Sequence, residues 1–186
     1  LFTAVMGIIL GTLHLQEKTQ QEAALFRELS FAKQRIQTRF ANNLEALTAI
    51  NRELAASEDQ AKLRQIAREQ AEDIVLNNHE IVKIIWLNNQ TQRQWAAPAE
   101  SNKSDWISKT QNDQLINASL LSTIELSRVT SRAAFSQFVS LNLPGNQPIS
   151  AERKIVFWQV VPNIVGEEVV GYLAALYTTE GILDVI

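Results

Sequence analysis

The chain has 186 residues, with 17 basic and 20 acidic side chains for a net charge of −3, and it contains no cysteine. That length suits one domain with an appendage rather than two full domains. The charge balance leaves no basic patch dense enough for nucleic acid, and the missing thiols remove disulfides, cysteine nucleophiles and thiolate metal sites. Such cysteine usage is compatible with a bacterial periplasm.

Leu1 to Leu15 (LFTAVMGIILGTLHL) carries no charge and is followed by Glu17-Lys18. The run is shorter than the ~20 residues that cross a bilayer. It also lacks the leading basic region and cleavage site of a signal peptide. It reads as the outer part of a transmembrane helix, with a buried core helix as the competing reading. From Thr19 to Leu54, apolar residues at Leu25, Leu29, Ala32, Ile36, Phe40, Leu44, Leu47, Ile50 and Leu54 recur in steps of three and four. That spacing lines one helix face, and no Pro or Gly interrupts it. The segment predicts a membrane-proximal helix of roughly 50 Å. Its seam approaches a heptad pattern, which suits the pairing of two copies.

A break at Ala55 to Asp59 follows, with Ser57 as a plausible N-cap, and then a second helix over about Asp59 to Leu76. Its face of Lys62, Arg64, Arg68, Glu69 and Glu72 is a solvated mixture of signs. At Glu80 the period changes. Ile81 to Leu87 is β-branched and apolar on both faces, as in a central strand. Asn88-Asn89-Gln90 predicts a tight turn and Thr91 to Ala97 the returning strand, ended by Pro98. After a polar loop, a helix is expected from Trp106 to Leu121; Ser122 to Val129 fits either its continuation or a short strand. Arg132 to Leu141 alternates as a strand does, and Pro144-Gly145-Asn146 is a turn. Arg153 to Val161 and Glu168 to Tyr177 are two strands joined so briefly that they must run antiparallel. Thr178 or Thr179 then caps a short final helix.

This order defines an α+β domain in which a long N-terminal helix packs on a central antiparallel sheet of about five strands. The expected divisions are 1–15 for the end of a transmembrane helix, 16–56 for the long helix and 57–186 for the sheet domain. The membrane-proximal helix, the Ile84-Ile85-Trp86-Leu87-Asn88-Asn89-Gln90 hairpin and the run Ile155 to Asp184 resemble an extracytoplasmic PAS-like sensor domain of the Cache or PDC kind. The strand Gly171 to Tyr177 followed by Glu180 to Ile186 is similar to that family's closing segment, where the last strand leads through a short helix to a second membrane span. The resemblance covers nearly the whole chain and rests on element order and hydropathy; CHASE sensors share the layout. It implies an input domain of a bacterial sensor histidine kinase or related receptor, held in the inner membrane, facing the periplasm and working as a homodimer. The Arg-x-x-Tyr-Tyr pattern of amino-acid-binding double-Cache domains is missing and only one PAS-like unit is present, so an amino-acid ligand is not implied.

Catalysis fails on inventory. There is no glycine-rich phosphate loop, and His14 and His79 stand near no plausible partner. No clustered ligands for a metal occur, and no cofactor is expected. Binding of a small molecule is the stronger reading, and the resemblance places its pocket between the sheet and the middle section. Alternation puts Lys154, Val156, Trp158 and Val160 on one face of their strand and Ile155, Phe157, Gln159 and Val161 on the other, with the pocket face left open. The candidate wall residues are Trp86, Trp106, Arg128, Arg132, Trp158, Tyr172 and Tyr177. Each aromatic fits ordinary core packing as well, and each arginine a surface charge, although an arginine beside the sheet would suit a carboxylate ligand. The rival function is a periplasmic protein-interaction or dimerisation module without a small ligand.

Overall fold

The computed structural model describes residues 2–55, 60–98, 110–142 and 153–184. Trp106, the polar loop ahead of it, the Ser57 cap and the Pro144 turn lie outside the described residues. Helix α1 spans Phe2–Ala55, taking in both the opening apolar run and the predicted long helix. Among the described residues no helix is long and apolar enough to cross a membrane. By internal contacts the chain forms two units, Leu1–Ala41 and Asn42–Val185. In the first, α1 exposes large apolar side chains, Leu25, Phe26 and Leu29 in a row on one side and Phe31 on another, each more than half accessible.

The second unit is built on one antiparallel sheet. Its strands are β1 (Ile81–Asn88), β2 (Arg93–Ala97), β3 (Ala134–Phe135), β4 (Val139–Asn142), β5 (Arg153–Val165) and β6 (Glu168–Thr178). The order is β2-β1-β6-β5-β3, and β4 also pairs with β5. Strands β5 and β6 are the longest; β-branched residues recur along β5, β6 is apolar from Val169 to Tyr177, and Gly166, with φ of 65°, makes the connection in the left-handed region. Strand β5 continues past the expected turn at Pro162 to Val165. Beyond Val160 no strand among the described residues pairs with its outer side, so Pro162 sits on an edge, where a missing N–H is tolerated.

Both faces of the sheet are covered. Helix α3 (Thr110–Thr130) lays Ile116, Leu120 and Ile124, one helical turn apart, on Ile85, Leu87, Val156, Trp158, Val160, Tyr172, Ala174 and Leu176. The ambiguous stretch Ser122 to Val129 therefore continues the helix, which stops at Ser131 with φ of 51°. On the other face, helix α2 (Gln60–Asn77) brings its small buried row Ala67, Ala71 and Val75 against β1 and β2. The end of α1 is fastened to that same face. Asn51 Nδ2 donates to the carbonyls of Val161 and Pro162 at 3.1 and 3.3 Å, and Asn43 Nδ2 donates to the buried Glu80 carboxylate at 3.0 Å. Leu47 and Ile50 are buried alongside. The final helix α4 (Thr179–Leu183) is capped by Thr178, whose hydroxyl accepts from the Gly181 N–H.

The strand expected over Arg132 to Leu141 is two short ones, for a local reason. Ser136 between them accepts from the Trp158 N–H through its own hydroxyl at 2.8 Å, while its N–H donates to the Trp158 carbonyl at 2.9 Å. A side-chain oxygen thus takes the place of a ladder carbonyl and interrupts the pairing.

The β1–β6 register admits no side chain at Gly171. A Cβ there would lie 2.6 Å from both the Leu87 carbonyl oxygen and the Trp86 ring. Gly171→Ala is expected to cost about 1–3 kcal/mol in urea unfolding, and Gly166→Ala about 1 kcal/mol through φ alone. Equal midpoints for Gly171→Ala and the parent would rule out this strand register.

Candidate ligand site

Helix α3 does not fill the sheet face it covers. Beneath it lies a cavity of about 540 Å3 with Ile85, Leu87, Trp158 and Leu176 as floor and Ile116, Leu120, Leu121 and Ile124 as wall. Volumes between about 300 and 1,000 Å3 are those of small-molecule sites, which combine apolar walls with a few convergent polar groups. Here the polar groups are Lys83, Arg93, Asp113 and Asn117, with Thr91 beside them.

Each is delivered by the local fold. Lys83 shares the pocket face with Ile85 and Leu87 because alternate residues of β1 point the same way. Arg93 arrives through a bulge. The β1–β2 register shifts between Trp86 and Leu87, so Trp86 pairs with Trp95 but Leu87 pairs with Arg93. Without the shift Gln94 would stand opposite Leu87; instead it lines a cavity with Trp86 on the opposite face. Asp113 lies in the first turn of α3, where a carboxylate is favoured by the helix dipole. The helix is tied to the floor by the Trp158 indole N–H, which donates to the Ile116 carbonyl at 3.0 Å.

The electrostatics lean positive. Burial lowers the pKa of the Lys83 amine, the Arg93 guanidinium lowers it further, and Asp113 works in the opposite sense. A ligand carboxylate placed between Lys83 and Arg93 would relieve that repulsion and gain charge-assisted hydrogen bonds, while Asp113 could accept from a donor on the same ligand.

Of the residues singled out from sequence, Trp158 lines this cavity. Tyr172 is buried in the same core layer, its hydroxyl pKa raised mainly by burial and lowered by nearby Arg128. Arg128 itself is exposed on the last turn of α3 and pairs with Glu125 at 2.8 Å, which raises its pKa. Trp86 and Tyr177 face the other side of the sheet. Trp86 packs against Gly171, and Tyr177 stacks on Phe157 at 5.2 Å and donates to Gln159 Oε1 at 2.6 Å. Burial pushes the Tyr177 hydroxyl pKa well above the usual range. Arg132 lies near α1, away from the cavity, and Trp106 falls outside the described residues. Lys83, Arg93, Asp113 and Asn117 were not among the residues singled out. The readable signal was Lys83, a lone charge inside an apolar strand.

The fold, the end of a helix on one side of an open antiparallel sheet and a helical section on the other, is α+β and PAS-like. No family model matches the chain, and no curated protein matches it. Solved structures do. The extracellular domain of the histidine kinase candidate vpHK1S-Z8 matches at 12% identity and a TM-score of 0.51, over 88% of this chain and 60% of its own. The ligand-binding domain of the Pseudomonas aeruginosa PAO1 chemoreceptor PctB, in complex with L-Arg, matches at 12% identity and a TM-score of 0.49, over 81% and 54%. The sensor domain of the V. cholerae histidine kinase DctB matches at 13% identity and a TM-score of 0.39, over 89% and 60%. The chain thus spans 54–60% of the length of these domains.

The lowered Lys83 pKa has a sign that can be checked. Between its folded value and the ordinary 10.5, the unfolded chain holds the proton that the folded chain has lost, so this group's contribution to stability rises with pH there. Below the folded value its penalty is constant. Lys83→Met removes the penalty, so the variant's advantage over the parent should be full at neutral pH and shrink as pH climbs toward 10.5. Urea titrations across that range measure it, and an advantage independent of pH would contradict the burial of a charged amine.

Proposed function

We propose that this chain is the extracytoplasmic ligand-sensing input domain of a membrane sensor histidine kinase or related receptor, and that it binds a small carboxylate under α3. The observation that supports this reading is the ligand-sized cavity between sheet and middle helix, whose apolar floor and wall are joined by Lys83, Arg93, Asp113 and Asn117. In this reading the domain faces the periplasm of a bacterial inner membrane and Leu1 to Leu15 belongs to the outer end of a membrane span. The domain performs no catalysis itself; a kinase or cyclase output would be carried elsewhere in the receptor. Two copies pair along the exposed apolar row of α1.

Ligand entry would draw α3 onto the floor formed by Trp158 and Leu176. Their neighbours in sequence, Phe157, Gln159 and Tyr177, face the side to which the end of α1 is fastened. Any shift is limited by the ligand's preference for one state, about 1.4 kcal/mol for each tenfold difference in affinity.

A protein-interaction role has one observation in its favour. Phe138 is 69% exposed and Phe135 47%, both packed on Phe157 at the sheet margin. A thermal-shift screen of small mono- and dicarboxylates separates the readings. A binding carboxylate should raise the melting temperature, and Lys83→Gln or Arg93→Gln should each weaken it roughly tenfold by calorimetry. Trp86→Phe, on the opposite face, should leave affinity unchanged. If no compound stabilises the chain, the interaction module becomes the better account. Pairing is tested separately: Leu25→Glu with Leu29→Glu should shift the chain from dimer to monomer in sedimentation.

A further inference from the structure

On the sheet face opposite α3, a second cavity of about 640 Å3 opens between the end of α1, the α3–β3 connection and the end of β5. Leu44, Val161, Ile164 and Val165 give it an apolar lining. Two of its residues, Asn51 and Asn163, are each 3% exposed and keep one amide atom without a hydrogen bond, Asn51 Oδ1 and Asn163 Nδ2. The Asn51 amino group is already spent on the Val161 and Pro162 carbonyls, so its oxygen is the acceptor left over. A buried polar atom in that condition is destabilising, and a partner seated in the groove would relieve it. The last torsion of asparagine is broad, so a modest rotation presents the Asn163 amino group to such a partner, while Asn51 stays on its two carbonyls. Arg52 and Arg132 complete the lining, and among the described residues neither forms an ion pair.

An unpaired donor and an unpaired acceptor, with two cations and an aliphatic surface, specify a ligand. A secondary amide offers a carbonyl to Asn163 Nδ2 and an N–H to Asn51 Oδ1. A carboxylate beside it meets Arg52 and Arg132, and a branched aliphatic side chain covers Val161 and Ile164. We propose that this groove is a second ligand site, selective for small N-acylated amino acids. Because its walls come from α1 and β5, an occupant would pin the end of α1 to the sheet. The site is independent of the cavity under α3, on the other face.

N-acetyl-L-leucine is the probe, titrated into the isotope-labelled 186-residue chain and followed by NMR. Saturable shifts are expected in the amides of Val161 and of Asn163 to Gly166, and in the Asn163 side-chain amino group. N-acetyl-L-leucinamide, without the carboxylate, and 4-methylpentanoate, without the amide, should each bind at least roughly fivefold more weakly. Arg52→Gln with Arg132→Gln, outside the sheet's core, should weaken the parent probe roughly tenfold without unfolding the chain. Lys83→Gln should leave it unchanged. Equal binding of all three probes overturns the proposal, as does the absence of a saturable shift. Shifts confined to Lys83, Arg93 and Asn117 that vanish in Lys83→Gln also overturn it, while supporting a carboxylate site under α3.

Discussion

The structure depends on the pairing of β5 with β6, because that ladder is buried on both faces at once. Ten pairs join the two strands, from Val156 with Thr178 to Val165 with Glu168. A strand buried on one side alternates apolar with polar residues; these two do not. Val156, Trp158 and Val160 demand cover on one face, and Phe157, Gln159 and Val161 demand it on the other. Helix α3 answers the first demand, and α2 with the end of α1 the second. Neither cover is complete, and the two cavities are what the helices leave over.

Charge placement follows from strand geometry. On one face the bulge in β2 brings Arg93, itself exposed, to the side of half-buried Lys83, so two cations line one space with one carboxylate, Asp113. Like charges so arranged disfavour one another, and the arrangement makes sense chemically if an anion is to be held there. On the other face, charge is met by neutral amides instead. Asn43 serves the buried Glu80 carboxylate, and the Tyr177 hydroxyl serves Gln159. That polar seam is incomplete, since Asn51, Gln159 and Asn163 each retain an unpaired atom.

Much of the fold could be read from the chain because burial leaves a period. The α1 stripe appeared from spacing, the β1, β5 and β6 strands from their apolar runs between turn signals, and the parity assigned to β5 is the parity found. What could not be read was set by pairing rather than by pattern. The Ser136 hydroxyl breaks a strand whose alternation looks regular. Arg93 owes its face to a one-residue shift in register, which flips a side chain and leaves no mark in composition. Aromatic residues drew attention as pocket walls, yet Trp86 and Tyr177 are placed by parity on the α1 side, and only the tertiary contacts of α3 reveal which side holds Lys83. That lysine was visible as an exception within an apolar strand, and exceptions of this kind carry more about a site than the pattern around them.

The coupling between the two faces can be weighed. The end of α1 is held by the Asn43 bond to a carboxylate, by Asn51 on two carbonyls, and by the burial of Leu47 and Ile50. Such hydrogen bonds are worth about 0.5–1.5 kcal/mol net between neutral groups and about 1.5–3 to a carboxylate, and each unpaired seam atom subtracts about 1–3. The polar part of the attachment is therefore nearly balanced, and apolar burial decides it. A ligand that prefers one state by tenfold to a hundredfold supplies roughly 1.4–2.8 kcal/mol, which is comparable to that balance. A seam satisfied throughout would need much more to move, and an apolar seam would move without preferred positions. In the proposed sensing role, partial satisfaction of buried amides would let a small solute on one face of β5 alter the position of a helix on the other.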